Sequence, residues 1–220
     1  MPLISVNDVA SHVRLGLWSI ADTWEGGGTL LAEARRLFSS ERRQREYVCV
    51  RLLLRQMTGA PTPDIIYERS GRPRLSDGSF IGISHTRGMC CVAISDACDV
   101  AVDIEYVSGR VEKVSGYFLR EDETAADITS LLIHWCAKET VYKLFPEDAL
   151  SFRDIRVMGE VSADSGATAS SLYDLRPARH VTARNERRGV NVEIKCCVTP
   201  DFVLTYAYVP CAAQSATRQD

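Results

Sequence analysis

Residues 80–106 constrain the fold of this chain more than any other stretch. Three short β-rich runs, Phe80–His85, Cys90–Ser95 and Val100–Tyr106, follow one another, separated only by turn residues at Arg87-Gly88 and from Asp96 to Asp99. The first two read as a hairpin. Helical patterns bracket them. Upstream, Gly26-Gly27-Gly28 reads as a turn, and Thr29 is placed to cap a helix through Phe38. Ser40 is placed to cap a second helix to Met57, which Gly59 and Pro61 end. Downstream, helical signal covers Val111–Leu119 and, more strongly, Ile128–Phe145, which Pro146 stops. Arg14–Ile20 reads as a first strand, and Phe152–Val157, Val190–Val198 and Phe202–Val209 as the last ones. Gly159–Ser171 is small and polar, a surface loop, and the tail after Pro210 reads as frayed. The order helix, strands, helix, strands predicts an α+β fold that repeats loosely in its two halves.

A chain of 220 residues with 45% hydrophobic and 25% charged side chains is ordinary globular material, which argues against a disordered chain or a fibre. At this size it would bury roughly 70% of its unfolded surface, so neither metal nor disulfide is needed for folding. Lys and Arg total 26 against 29 Asp and Glu, a net charge of −3, without the basic excess of a nucleic-acid binder. No run of about 18 apolar residues suits a membrane span. The start, Met1-Pro2-Leu3-Ile4, lacks the basic-then-apolar pattern of a secretory signal. Eight cysteines sit mostly in apolar runs with no C-x-x-C pair, so the expectation is buried thiols in a reducing cytoplasm.

Three groups of residues carry chemistry. In Val100-Ala101-Val102-Asp103-Ile104-Glu105 strand alternation sends Asp103 and Glu105 to one face, about 7 Å apart. That is either a solvent-facing acidic side or a site for a hard cation such as Mg²⁺. On the helix Ile128–Phe145, Trp135, Glu139 and Lys143 share a face at i, i+4 and i+8. They form either a surface Glu–Lys pair or, if Glu139 turns toward Asp103 and Glu105, a third oxygen ligand with a lysine one turn on. The third group is Tyr67-Glu68-Arg69-Ser70-Gly71-Arg72-Pro73, a turn with two guanidiniums suited to phosphate, followed by the strand end Ile83-Ser84-His85. Ser84 and His85 point to opposite faces and no G-x-S-x-G elbow is present, so they read as phosphate or ribose contacts, or His85 as an ordinary strand-end histidine, rather than a nucleophile and its base.

Gly71-Arg72-Pro73, Ser84-His85, Asp103-Ile104-Glu105 and Trp135-Cys136-Ala137-Lys138-Glu139-Thr140-Val141-Tyr142-Lys143 stand in one order over roughly Ser40–Phe145. In this the chain resembles the 4'-phosphopantetheinyl transferase superfamily, and its length resembles the longer, surfactin-synthetase-activating branch. Ala101 stands where that family usually has Gly, Arg72 replaces the commoner Lys, and Thr140 replaces Ser or Ala. The resemblance implies two similar α+β halves with pseudo-twofold symmetry in one chain. Residues 1–106 would form the coenzyme A side and 107–210 the metal and carrier side, with 211–220 a disordered tail.

By the same resemblance, Asp103, Glu105 and Glu139 hold Mg²⁺, or Mn²⁺, against the diphosphate of coenzyme A. Glu139 and Lys143 are catalytic. Arg51, Arg69, Arg72, Ser84, His85 and Asp103 bind the cofactor, with Arg35, Arg36 or Arg45 near its 3'-phosphate. The activity implied is transfer of 4'-phosphopantetheine to a serine of an acyl- or peptidyl-carrier protein, by a cytoplasmic monomer that binds neither nucleic acid nor membrane. Val111–Arg120, with Lys113 and Arg120, reads either as part of the docking surface for the acidic carrier or as an ordinary amphipathic helix. Two rival readings are a Mg²⁺-dependent hydrolase of coenzyme A-type diphosphates and a non-catalytic carrier-binding relative.

Overall fold

The computed structural model describes residues 3–20, 28–159, 174–177 and 179–210. The described residues form a mixed α+β fold with two antiparallel sheets and four α-helices. The residues expected as the 159–171 loop, from 160 on, and as the tail after Pro210 lie outside the described residues, as do Gly26 and Gly27 of the expected turn.

The first sheet has six strands in the order β1 (Leu3–Ala10), β2 (Val13–Ser19), β6 (Met89–Ser95), β5 (Phe80–Thr86), β4 (Pro73–Leu75) and β3 (Ile65–Tyr67). The second has five, in the order β7 (Cys98–Tyr106), β11 (Phe202–Pro210), β10 (Val190–Val198), β9 (Arg179–Asn185) and β8 (Ile155–Met158). β5 and β6 form the expected hairpin, with Thr86 opposite Met89. β7 ends the 1–106 segment in sequence, yet its hydrogen-bonded neighbour is β11, so sheet membership divides between β6 and β7.

Alternation along the strands produces the layers. Cys91 and Ala93 of β6, with Leu15 and Leu17 of β2, face Val100, Val102 and Ile104 of β7 and Leu204 of β11, forming the apolar filling between the sheets. The opposite faces of those strands, among them Cys90 and Val92, meet Val50, Leu53, Leu54 and Met57 of α2 (Glu41–Thr58). On the far side, α4 (Ile128–Leu144) packs Leu132, Ile133, Cys136, Ala137 and Val141 onto Val192, Ile194, Val203 and Ala207. α1 (Gly28–Leu37) leans on α2, where Tyr47 donates to Glu33 at 2.6 Å. α3 (Arg110–Phe118) leans on α4 through Phe118, whose ring meets Trp135 edge-on at 5.3 Å. Seven described cysteines are free thiols and six of them are buried.

Several boundaries differ from the sequence expectation. The first helix begins at Gly28, which puts Thr29 inside it rather than at its cap. Ser40 does occupy the N-cap position of α2, but its side chain makes no cap hydrogen bond. The cap that does form is on α4, where Asp127 accepts from the Ser130 amide at 2.7 Å and Ser130 Oγ accepts from the Asp127 amide. Phe152–Val157, expected as a strand, starts as a 3₁₀ turn over Phe152–Asp154, because Asp154 accepts from both the Ser151 amide and hydroxyl, and extends only from Ile155. Strands β1 and β9 carry no clean apolar alternation and are held by ladder pairing to β2 and β10.

Candidate active site

β7 is the edge strand of the second sheet, and its C-terminal half carries Asp103 and Glu105. α4 crosses the same sheet and brings Glu139 and Lys143 to that edge. Lys143 Nζ donates to Asp103 Oδ1 at 2.7 Å and to the Val102 carbonyl at 3.1 Å. Asp103 is 5% exposed, and its second oxygen, Oδ2, is buried with no hydrogen-bond partner.

The electrostatics follow from crowding three acids at one edge. Burial, then the charges of Asp103 and Glu105, push the Glu139 carboxyl up to about 7, against the pull of Lys143. Burial and Asp103 also raise Glu105, while the Thr86 hydroxyl and the Trp135 indole favour its ionised form. Burial opposes the charge on Lys143, but the contact with Asp103 and the field of Glu139 outweigh it and hold the ammonium above its ordinary range.

A cleft of about 980 Å³ opens beside this edge, with Glu105, Trp135, His85 and Thr86 in its walls. Arg42 and Arg45 of α2, Arg87 of the β5–β6 turn and Arg110 of α3 also line it, with Glu41 and Glu46, which pair with Arg45 and Arg42. His85 sits on the α2 side, 3.4 Å from Glu46 Oε2, and Arg42 and Arg43 each reach the same carboxylate at 3.4 Å. Burial keeps the His85 imidazole below its usual pKa in spite of Glu46. Glu139 lines a second depression of about 550 Å³, together with Tyr117, Tyr142, Phe152 and Arg153.

The residues singled out from sequence therefore divide. Lys143 contacts Asp103. Glu105 and Glu139 lie within their field, though they line different depressions. Ser84 joins them: its hydroxyl donates to Asp103 Oδ1 at 2.9 Å and accepts from the Ile104 amide at 3.3 Å. Ser84 is thus engaged within the protein rather than turned toward the cleft. Arg72 faces Asp99, at 2.9 Å, four residues before Asp103 on β7. Arg51 lies over the Tyr47 ring at 3.3 Å from its centroid, and Arg69 is exposed on the turn between β3 and β4. None of Arg51, Arg69 and Arg72 is among the residues lining the large cleft.

Among the described residues no group of three or more His, Cys, Asp or Glu side chains is arranged to close around a metal ion. The cation in contact with Asp103 is Lys143. The donor chemistry nevertheless fits a hard divalent ion, with three carboxylates in each other's field and one buried carboxylate oxygen without a partner. Sequence reasoning passed over Thr86, which donates to Glu105 Oε2 at 2.9 Å. Its spacing of two from Ser84 on one strand was the available signal. Sequence reasoning also assigned no role in the site to Arg42, one of several arginines on the second helix, to Arg87, read only as a turn residue, or to Arg110.

Compared with protein-family models and with curated proteins, the sequence gives no match. No helix among the described residues is long and apolar enough to cross a membrane.

Proposed function

We propose that this chain is a 4'-phosphopantetheinyl transferase that moves the phosphopantetheine arm of coenzyme A onto a serine of an acyl- or peptidyl-carrier protein. The reading is supported chiefly by one observation: Asp103, Glu105, Glu139 and Lys143 meet at a sheet edge beside a large cleft with arginines in its walls. Glu46 holds Arg42 and Glu41 holds Arg45, whereas Arg87 and Arg110 line this cleft with no acidic ion-pair partner among the described residues, and cations beside an acidic cluster suit a nucleotide diphosphate that requires a divalent ion.

In this mechanism Asp103, Glu105 and Glu139 would hold Mg²⁺ or Mn²⁺. When bound, that ion offsets charge on the diphosphate oxygens. The chain's own residues do the rest. Arg42, Arg45, Arg87 and Arg110 attract the anionic nucleotide end. The carrier serine oxygen forms a bond to the β-phosphorus, and the bond from that phosphorus to the bridging oxygen breaks, leaving 3',5'-ADP. Glu139, a carboxylate at this edge, accepts the serine proton. Lys143, an ammonium at the same edge, stabilises or protonates the departing phosphate.

The test mixes the protein with Mg²⁺, coenzyme A and several apo-carriers and measures the intact mass of each carrier. A gain of one phosphopantetheine group is expected. An unchanged mass for every carrier removes the transferase reading. Phosphopantetheine released without a carrier would favour the hydrolase, and a carrier bound but unaltered would favour the non-catalytic relative.

A further inference from the structure

β5 and β7 belong to different sheets and exchange no backbone ladder, yet they lie in close contact. The face of β5 turned toward β7 carries Gly82, Ser84 and Thr86. A Cβ at Gly82 would stand 3.1 Å from the Ala101 Cα, so the strands nearly touch there. From that contact onward two hydroxyls replace the missing ladder. Ser84 Oγ accepts from the Ile104 amide at 3.3 Å and donates to Asp103 Oδ1 at 2.9 Å. One repeat along, Thr86 Oγ1 accepts from the Tyr106 amide at 3.2 Å and donates to Glu105 Oε2 at 2.9 Å.

The two rungs have the same sequence offsets, 19 to the carboxylate and 20 to the amide. Each hydroxyl therefore reads two things at once: where the β7 backbone lies, and which way the acid on it points. A hydroxyl has one proton to donate. With the amide N–H occupying a lone pair of the oxygen, that proton is directed at the carboxylate. The other restraints are Lys143 on Asp103 Oδ1 and the Trp135 indole on Glu105, while Asp103 Oδ2 is buried without a hydrogen-bond partner.

We infer that Ser84 and Thr86 are positioning residues that hold Asp103 and Glu105 at the spacing and rotation a divalent cation requires. This rests on the reading that Asp103 and Glu105 are the cation's ligands. Hydrogen-bond partners of ligating carboxylates govern metal affinity by about 10- to 100-fold when removed. Thr86 is the sharper probe because valine keeps its shape and loses only the hydroxyl, while serine keeps the hydroxyl and loses only a methyl.

The experiment measures Mn²⁺ binding to the full chain by electron paramagnetic resonance, without coenzyme A or carrier, at a temperature where thermal melts show each variant folded. Thr86→Val is expected to weaken Mn²⁺ binding about tenfold or more, Thr86→Ser to restore it to within about threefold, and Ser84→Ala to weaken it as Thr86→Val does. Asp103→Asn, in parallel, reports whether the bound ion is at this edge. A Thr86→Val affinity within about twofold of the parent overturns the inference, as does a serine variant no better than valine, or a parent chain that binds no Mn²⁺ at Asp103. Unmodified carriers alongside a hydroxyl-dependent Mn²⁺ site would remove the transferase reading and leave this inference standing.

Discussion

Lys143 and Asp103, forty residues apart, meet at 2.7 Å, with the lysine 29% exposed and the aspartate almost wholly covered. The lysine is the local counter-charge for an acid that otherwise accepts a neutral hydrogen bond from Ser84. Breaking such a pair from one side leaves the remaining charge exposed to the full cost of burial.

Replacing that lysine should therefore transfer its role to an added cation. Lys143→Met is expected to lower the melting temperature without metal and to lower carrier modification by about 100-fold or more. Because binding to the folded state alone stabilises it, Mg²⁺ should raise the melting temperature of the variant more than that of the parent. Melts with and without 10 mM Mg²⁺, at roughly the concentration that saturates a weak site, check this. An equal metal-induced rise in both proteins would remove lysine from the role of counter-charge.

Glu139 should make stability depend on pH in a defined direction. Its carboxyl is raised from 4.5 to about 7, mainly by burial and then by Asp103 and Glu105. The folded state thus holds this proton more tightly than the unfolded chain. The resulting stability is fully present below about 4.5 and is lost as pH rises through about 7. Glu139→Gln, which cannot ionise, should gain on the parent over that window by about 1–3 kcal/mol in the absence of metal. Urea unfolding of both proteins at pH 5 and pH 8 measures it, and a constant difference between them would contradict the assignment.

Lys138, next to Glu139 on α4, has a structural task. Its ammonium is fully buried, 2.7 Å from Glu123 and within hydrogen-bond distance of the Phe118, Phe152 and Ile155 carbonyls. It ties the end of α3, the following loop and the start of β8 to one point. Lys138→Met leaves Glu123 charged and buried, though still held by the Arg120 and Val157 amides. A loss of about 3–5 kcal/mol in urea unfolding is expected. Lys138→Met with Glu123→Gln should recover part of it, since no buried charge then stands alone.

Gly82 should tolerate no side chain. A methyl group there would meet the backbone of β7, the Ala101 Cα at 3.1 Å and the Val100 oxygen and Val102 nitrogen at 3.3 Å each. Backbone in a paired strand cannot turn aside as a side chain can. Gly82→Ala is expected to cost about 1–3 kcal/mol by overpacking. It should also part β5 from β7, weakening Mn²⁺ binding along with stability. Gly16→Ala offers the contrast, because the atoms nearest its added methyl, Met57 Sδ at 2.6 Å and Leu53 Cδ1 at 2.8 Å, belong to side chains.

Much of this was readable along the chain. Alternation in Val100–Glu105 separates Val102 and Ile104, which fill the space between the sheets, from Asp103 and Glu105, which do not. Helical spacing places Glu139 and Lys143 one turn apart, and α4 ends at Leu144 before Pro146. These are local facts, set by a period of 2 or 3.6 residues and by the chemistry of proline. Strands such as β9, with Arg, His, Thr and Asn among its seven residues, carry no such pattern, since pairing to β10 holds them and pairing is not local.

Sequence by itself determined which side chains could bear a charge at each edge, because periodicity and residue type are properties of neighbours. Only the tertiary structure decided which charges meet. Arg72 is paired with Asp99 at the start of β7 and Lys143 with Asp103 further along it, while Arg42, Arg87 and Arg110, from three separate elements, line one cleft. Coulomb attraction and burial act on distance in space, and packing two sheets between helices sets those distances independently of separation along the chain.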